Sequence, residues 1–221
     1  MKTLKTALLI AALAGGAGPV AFAEAPVAPL AVDVPAGAYK LDKAHASLIF
    51  RVSHLGFSNY TARFGTFDAE LQLDPKAPEL ATLTAKVDAN SLELENPPDG
   101  FLDELRGAQF LDTAKYPEMT FKSTAVELTA PNAARVTGDF TMHGATHPLV
   151  LDVTFNGGYV GHPMDPNARI GFSAHGKLKR SDYGIAYGVP EPGTTMGVSD
   201  EVEIIIESEF SGPPLKDETQ H

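Results

Sequence analysis

The chain has 221 residues, no cysteine and a formal net charge of −11 at pH 7. That length accommodates one or two domains. Without cysteine there is no disulfide, and the acidic balance argues against nucleic acid, whose phosphate backbone demands Lys/Arg density.

The N-terminus reads as a secretory signal peptide over residues 1–23. Lys2 and Lys5 form a basic start, "ALLIAALAGGAGPVAFA" follows without charge, and Ala21-Phe22-Ala23 is an A-x-A-like cleavage site. Gly15, Gly16, Gly18 and Pro19 interrupt the apolar run, so it suits cleavage better than a stable membrane anchor. The expected mature chain starts at Glu24 and is periplasmic. Cleavage removes two lysines and no acid, taking the formal charge from −11 to −13. The absence of cysteine also excludes a lipoprotein anchor. Residues 24–38 are rich in Pro and Ala and read as a tether. Residues 211–221 begin Ser-Gly-Pro-Pro, are polar and read as a flexible tail. Between them, residues 39–210 show no linker and no fixed-period repeat, which points to one domain.

Within that domain the hydrophobic period is two. The alternating runs are Leu48–Phe50–Val52, Phe67–Ala69–Leu71–Leu73, Leu83–Ala85–Val87 and Met119–Phe121. They continue with Val136–Phe140–Met142, Leu149–Leu151–Val153–Phe155, Ile170–Phe172–Ala174–Leu178 and Val202–Ile204–Ile206. Eight two-faced strands with Gly, Pro and Asn turns predict an antiparallel sandwich or barrel. The exception is "PPDGFLDELRG", where Phe101, Leu102 and Leu105 fall at helical spacing behind Pro97-Pro98 and before Gly107. One short helix among strands suggests a lid or plug over an end of the sheet.

The H-x-x-x-H stretch "HGATHP", from His143, would suit a metal only on a helix. Gly144 and Pro148 sit between two alternating runs, so it reads as a turn. His54 shares the inward parity of Phe50 and Val52, whereas His45 has outward parity and is expected to pair with Asp42. His175 reads as surface, His162 as loop and His221 as tail. There is no G-x-S-x-G elbow and no phosphate-binding Gly loop. The acids of "EVEIIIESE" fall on the polar parity of a strand. The apolar parity carries six phenylalanines together with Ala69, Ala85, Ala89, Ala125, Gly138, Ala174 and Gly176. An eight-stranded barrel of that kind either fills its interior with side chains or holds one small ligand.

Several stretches, in order, resemble the YceI-like family of periplasmic polyisoprenoid-binding proteins. They are "YKLDKAHAS" from Tyr39 with Phe50 and His54, "GTF" from Gly65 and "DELR" from Asp103. "FLD" from Phe110, "YP" from Tyr116, "TFKS" from Thr120, "GDF" from Gly138 and "HGATHP" from His143 follow. "RSDYGI" from Arg180 and "SDEV" from Ser199 close the series, which covers residues 39–210. The resemblance implies an all-β, eight-stranded antiparallel, lipocalin-like barrel with a short helical insertion. It implies an apolar pore for an isoprenoid or other long-chain lipid, with no enzymatic activity and no cofactor. Many members carry two aromatics where Phe110 and Leu111 stand, and the loops 158–172 and 187–202 vary in length.

Parity then nominates Leu48, Phe50, Val52, Phe67, Phe121, Phe140, Phe155, Phe172 and Ile204 as ligand-contacting wall. His54 and Arg180 have inward parity near strand ends and are the head-group candidates. Two other readings remain: a metal-assisted enzyme using Asp42, His45 and His54, and a packed, ligand-free barrel acting as a stress-related interaction module. Members of the family can form homodimers, but no separate apolar surface helix in this sequence points to one.

Overall fold

The computed structural model describes residues 33–214. The expected signal peptide, most of the tether and the residues beyond Pro214 lie outside the described residues. Ten strands alternate with little helix: β1 (Gly37–His54), β2 (Ser58–Phe64), β3 (Phe67–Leu73), β4 (Thr82–Asp88) and β5 (Leu92–Leu94) precede the helix α1 (Phe101–Arg106). β6 (Glu118–Ala130), β7 (Ala133–Met142), β8 (Ala145–Tyr159), β9 (Asn167–Lys179) and β10 (Val198–Pro214) follow.

These ten segments make eight staves of a closed antiparallel barrel. β2 and β3 run on from one another against successive parts of β1, and β4 and β5 do the same against β3 and β2. The order around the barrel is β1, β3, β4, β6, β7, β8, β9 and β10, and β10 pairs with β1 to close it. Closure removes the exposed edges that an open sheet of this length would present. Alternation decides which face turns inward: on β8, Leu149, Leu151 and Phe155 are buried while Val150, Asp152 and Thr154 are exposed.

The strands run further than their periodicity shows. β1 begins at Gly37, and Val34 before it is buried beside Tyr39 in a cluster at one end of the barrel. The Tyr39 hydroxyl donates to Pro35 O at 2.6 Å there. β10 continues through Ser211 to Pro214, paired with Arg169 and Asn167. The ordered fold therefore overlaps both the expected tether and the expected tail. Extension of the ladder gives backbone donors and acceptors in these segments partners they would otherwise lack.

Turns follow their residue chemistry. His143 and Gly144 both have positive φ, at 51° and 78°, and join Met142 to Ala145 as a two-residue hairpin. The turn in "HGATHP" is thus His143-Gly144 alone, and Ala145–Pro148 already belong to β8, with Pro148 opposite Asp139. A Cβ on Gly144 would lie 2.6 Å from the Tyr116 ring, so glycine serves both the turn and the packing over it. The helix begins after Gly100 rather than at the prolines, and Gly107 closes it.

β6 pairs with β4 only as far as Asp88, so it leaves β5 without a second strand on that side among the described pairings. The segment carrying α1 covers this gap. Arg106 fastens it by donating to Asn90 O at 2.6 Å and to Leu92 O at 3.3 Å. α1 therefore covers part of one barrel end, and the Tyr39 cluster and a buried Pro78 pack at the other, where exposed Pro131 and Asn132 also line the interior.

Candidate functional site: an apolar cavity inside the barrel

The inward face does not fill the barrel. A cavity of about 860 Å³ runs through it. At roughly 30 Å³ per water-sized group, that is room for on the order of 25–30 heavy atoms. Sites for small ligands fall in the same size range.

All eleven residues nominated from parity line this one cavity. Leu48, Phe50, Val52 and His54 come from β1, Phe67 from β3, and Phe121 and Phe140 from β6 and β7. Phe155, Phe172 and Ile204 come from β8, β9 and β10, with Arg180 just beyond β9. The aromatic wall is mutually packed. Phe155 and Phe172 have ring centroids 5.5 Å apart, Phe172 meets Phe210 edge-on at 6.0 Å, and Phe50 tilts against Phe64 at 5.6 Å. Such contacts hold the rings in place without consuming the void.

The small residues do not all open space for a ligand. Ala69, Ala85 and Ala174 line the cavity. Gly138 and Gly176 face inward but are covered: a Cβ would stand 2.4 Å from Phe121 Cζ at Gly138 and 2.7 Å from Leu151 Cδ2 at Gly176. They admit neighbouring side chains rather than ligand. Ala125 is exposed, and Ala89 is buried in a separate cluster with Met119 and Tyr183.

Polar groups on the wall are few. At the α1 end the exposed residues His54, Ser58, Pro98, Glu104 and Tyr187 form the rim of an opening. Arg180 is buried, and burial in this apolar surrounding pushes its guanidinium pKa down. Its Nε donates to Ser199 O at 3.0 Å, Nη1 to Ile185 O and Tyr187 O at 3.1 and 2.7 Å, and Nη2 to Val198 O at 2.8 Å. Four of its five N–H groups are thus spent on backbone, leaving little for a head group. The hydroxyl of Tyr60, another lining residue, is buried and has no hydrogen-bond partner.

Sequence periodicity missed the walls contributed by β2 and β5, and gave α1 as a lid without naming its cavity-lining residues as wall. Tyr60, Ala62 and Phe64 do alternate with Asn59, Thr61 and Arg63, so the β2 signal was present. β5 has only three residues, too few for a period, and Leu92 and Leu94 could not have been placed that way. Phe101 and Leu105 of α1 line the cavity, as does Phe110, whose ring meets Tyr187 edge-on at 5.4 Å.

The histidines do not assemble into one centre. His45 and His54 sit toward opposite ends of the inner part of β1, nine residues and roughly 30 Å apart along a strand. His45 Nδ1 lies 3.1 Å from Asp42 Oδ2, the pairing its parity indicates. Ligand atoms of Asp42, His45 and Glu209 lie within 4.8 Å of one another. Arg169 also bonds Asp42 and reaches Asp165 at 3.1 Å, so this group is an ion-pair cluster in which one guanidinium is shared between two of the three carboxylates, Asp42, Asp165 and Glu209. His143 Nδ1 is 2.9 Å from Tyr183 O, and His147 packs edge-on against Tyr183 at 5.2 Å.

The family model of the YceI-like domain matches residues 39–210. A UPF0312 protein of Shewanella sp. strain MR-7 is 38% identical over 181 residues, covering 80% of this chain and 86% of that protein. Among solved structures, the Campylobacter jejuni YceI protein superposes with a TM-score of 0.62 at 29% identity, covering 73% of this chain and 90% of that one. A polyisoprenoid-binding domain from Saccharophagus degradans, implicated in plant cell wall breakdown, shares the fold at 17% identity and a TM-score of 0.55, covering 79% and 98%. By the extent of the domain match, the order of its strands and the closed barrel they form, this chain belongs to the YceI-like family.

Proposed function

We propose that the protein is a periplasmic carrier that holds one isoprenoid-type or other long-chain lipid in its barrel, as a binding protein and not an enzyme. One observation carries this reading: an apolar cavity of about 860 Å³, walled by phenylalanines and aliphatic residues, that the inward face leaves unfilled. Burying an isoprene unit is worth roughly 4 kcal/mol gross at about 0.8 per carbon. Several units together exceed the ordering cost of binding. A quinone side chain is one cargo of this class. Export is supported by the basic start, apolar run and A-x-A site at the N-terminus. The structural kinship with a polyisoprenoid-binding domain fits the same reading.

A packed, ligand-free interaction module would need a filled interior, and the cavity counts against it. A metal enzyme built on His45 and His54 would need them together, and β1 holds them apart.

The test is Phe155→Asp. A carboxylate beside Phe172 in the cavity wall replaces apolar contact with a charge that must be desolvated by cargo. The expected result is loss of bound lipid from a variant whose circular dichroism stays β-rich. Unchanged lipid retention in a folded variant would refute the wall assignment.

A further inference from the structure

The mouth at the α1 end is asymmetric. Its α1 side carries exposed Asp99, Asp103 and Glu104. Its other side is built from the β1–β2 turn and the connection leading into β10. Residues 52–62 contain no Asp, Glu, Lys or Arg, and residues 184–198 contain only Glu191. In this charge-poor lip, large apolar side chains face solvent: Phe57 is 83% exposed, Met196 71% and Tyr187 55%.

The two segments are fastened together. Leu55 N–H donates to Gly197 O at 2.9 Å. A Cβ on Gly56 would sit 3.2 Å from Thr195, so the tips abut. Their neighbours His54, Ser58 and Gly188 line the cavity, which makes the exposed apolar lip continuous with the apolar interior.

Exposed apolar patches on a strongly charged chain mark contact surfaces. A protein interface would be expected to add arginine anchors and a hydrogen-bonding rim. An anionic membrane would call for lysines and arginines, and neither segment has one. Apolar tips with almost no charge to desolvate suit the interface of a neutral bilayer.

We propose that the lip formed by residues 54–58 and 187–198 docks onto a zwitterionic lipid bilayer, and that cargo passes between bilayer and barrel through this mouth. The proposal rests on the lipid-carrier reading and supplies its partner. Phe57 and Met196 enter the interface, while the acidic α1 side faces away from it. A chain then slides from membrane to cavity without exposing its length to water.

The chain has no tryptophan, so one introduced indole is a clean reporter. The full protein carrying Phe57→Trp is mixed with phosphatidylcholine vesicles whose acyl chains are brominated. Leu80→Trp, on an exposed turn at the opposite end, is the control. The expected result is a blue shift and quenching for Phe57→Trp and none for Leu80→Trp. Adding phosphatidylglycerol or salt should not strengthen or abolish the signal. A Phe57→Ser/Met196→Ser protein should bind the vesicles at least about tenfold more weakly.

An unquenched Phe57→Trp, equal quenching at both positions, or binding that requires anionic lipid overturns the proposal. Cargo is scored independently, by the lipid extracted from the wild-type protein. Lipid recovered together with an unquenched Phe57→Trp overturns docking and leaves the carrier reading standing. Quenching with no lipid recovered sustains docking and counts against the carrier reading.

Discussion

Ala85→Trp should shorten the cargo. Ala85 faces the cavity from β4, between its strand partners Ala69 and Phe121. Tryptophan adds nine heavy atoms there, filling about 270 Å³ at roughly 30 Å³ each. That is about a third of the 860 Å³ available. A lipid that fits the wild type must leave about nine carbons outside or be replaced by one some two isoprene units shorter. Keeping nine carbons out of the barrel forfeits roughly 7 kcal/mol of gross transfer energy. If only a third of that is realised, affinity for the long lipid falls on the order of 50-fold. The assay is competition between isoprenoids of graded length, read by mass spectrometry of the extracted protein. The expected result is a shift of preference to shorter chains with the fold and thermal stability retained. Unchanged preference for the long chain in a folded variant would show that cargo does not occupy the space beside Ala85.

Three further outcomes follow from the polar groups. Arg180→Met should cost about 3 kcal/mol in urea unfolding, because four backbone carbonyls lose their donor. A loss below about 0.5 kcal/mol would contradict that structural role and return Arg180 to the head-group candidates. Tyr60→Phe should leave the lipid-free protein unchanged or about 1 kcal/mol more stable, since the buried hydroxyl has no partner to lose; clear destabilisation would mean that it is bonded. Arg169 beside Asp42, with His45 second, lowers the Asp42 carboxyl from its ordinary 3.8 to about 2. Between those values the unfolded chain binds the extra proton, so the contribution is full above about pH 4 and is lost as pH falls toward 2. Wild type should exceed Asp42→Asn by about 1–2 kcal/mol at pH 5, allowing for solvent screening of the cluster. A gap of the same size at pH 2 would contradict the ion pair.

The barrel wall was legible because alternation is a local property: a strand with one solvated face writes its inner residues at every second position. That is why Phe50, Phe121, Phe140 and Phe155 fall in one cavity although their strands are far apart in sequence. It also explains His45 and His54, whose opposite parity separates them. Three features were not local. Whether the interior is filled depends on which side chains lean over which neighbours; Phe121 over Gly138 and Leu151 over Gly176 close space that composition alone leaves open. The fate of Arg180 depends on carbonyls from residues 185–199, brought to it by the path of a loop without periodicity. The end strands β1 and β10 run past the apolar runs read from the sequence because ladder pairing continues them, with Tyr39, Leu41 and Phe210 buried in a cluster assembled from distant strands.

The central claim is that the barrel carries a lipid. Mass spectrometry of the protein isolated from its own host, first native and then after solvent extraction, tests it most directly. The expected result is a one-to-one adduct whose mass is recovered in the extract as an isoprenoid-type or other long-chain lipid of up to about 30 heavy atoms within the barrel. A clean apo mass with no lipid in the extract would contradict it.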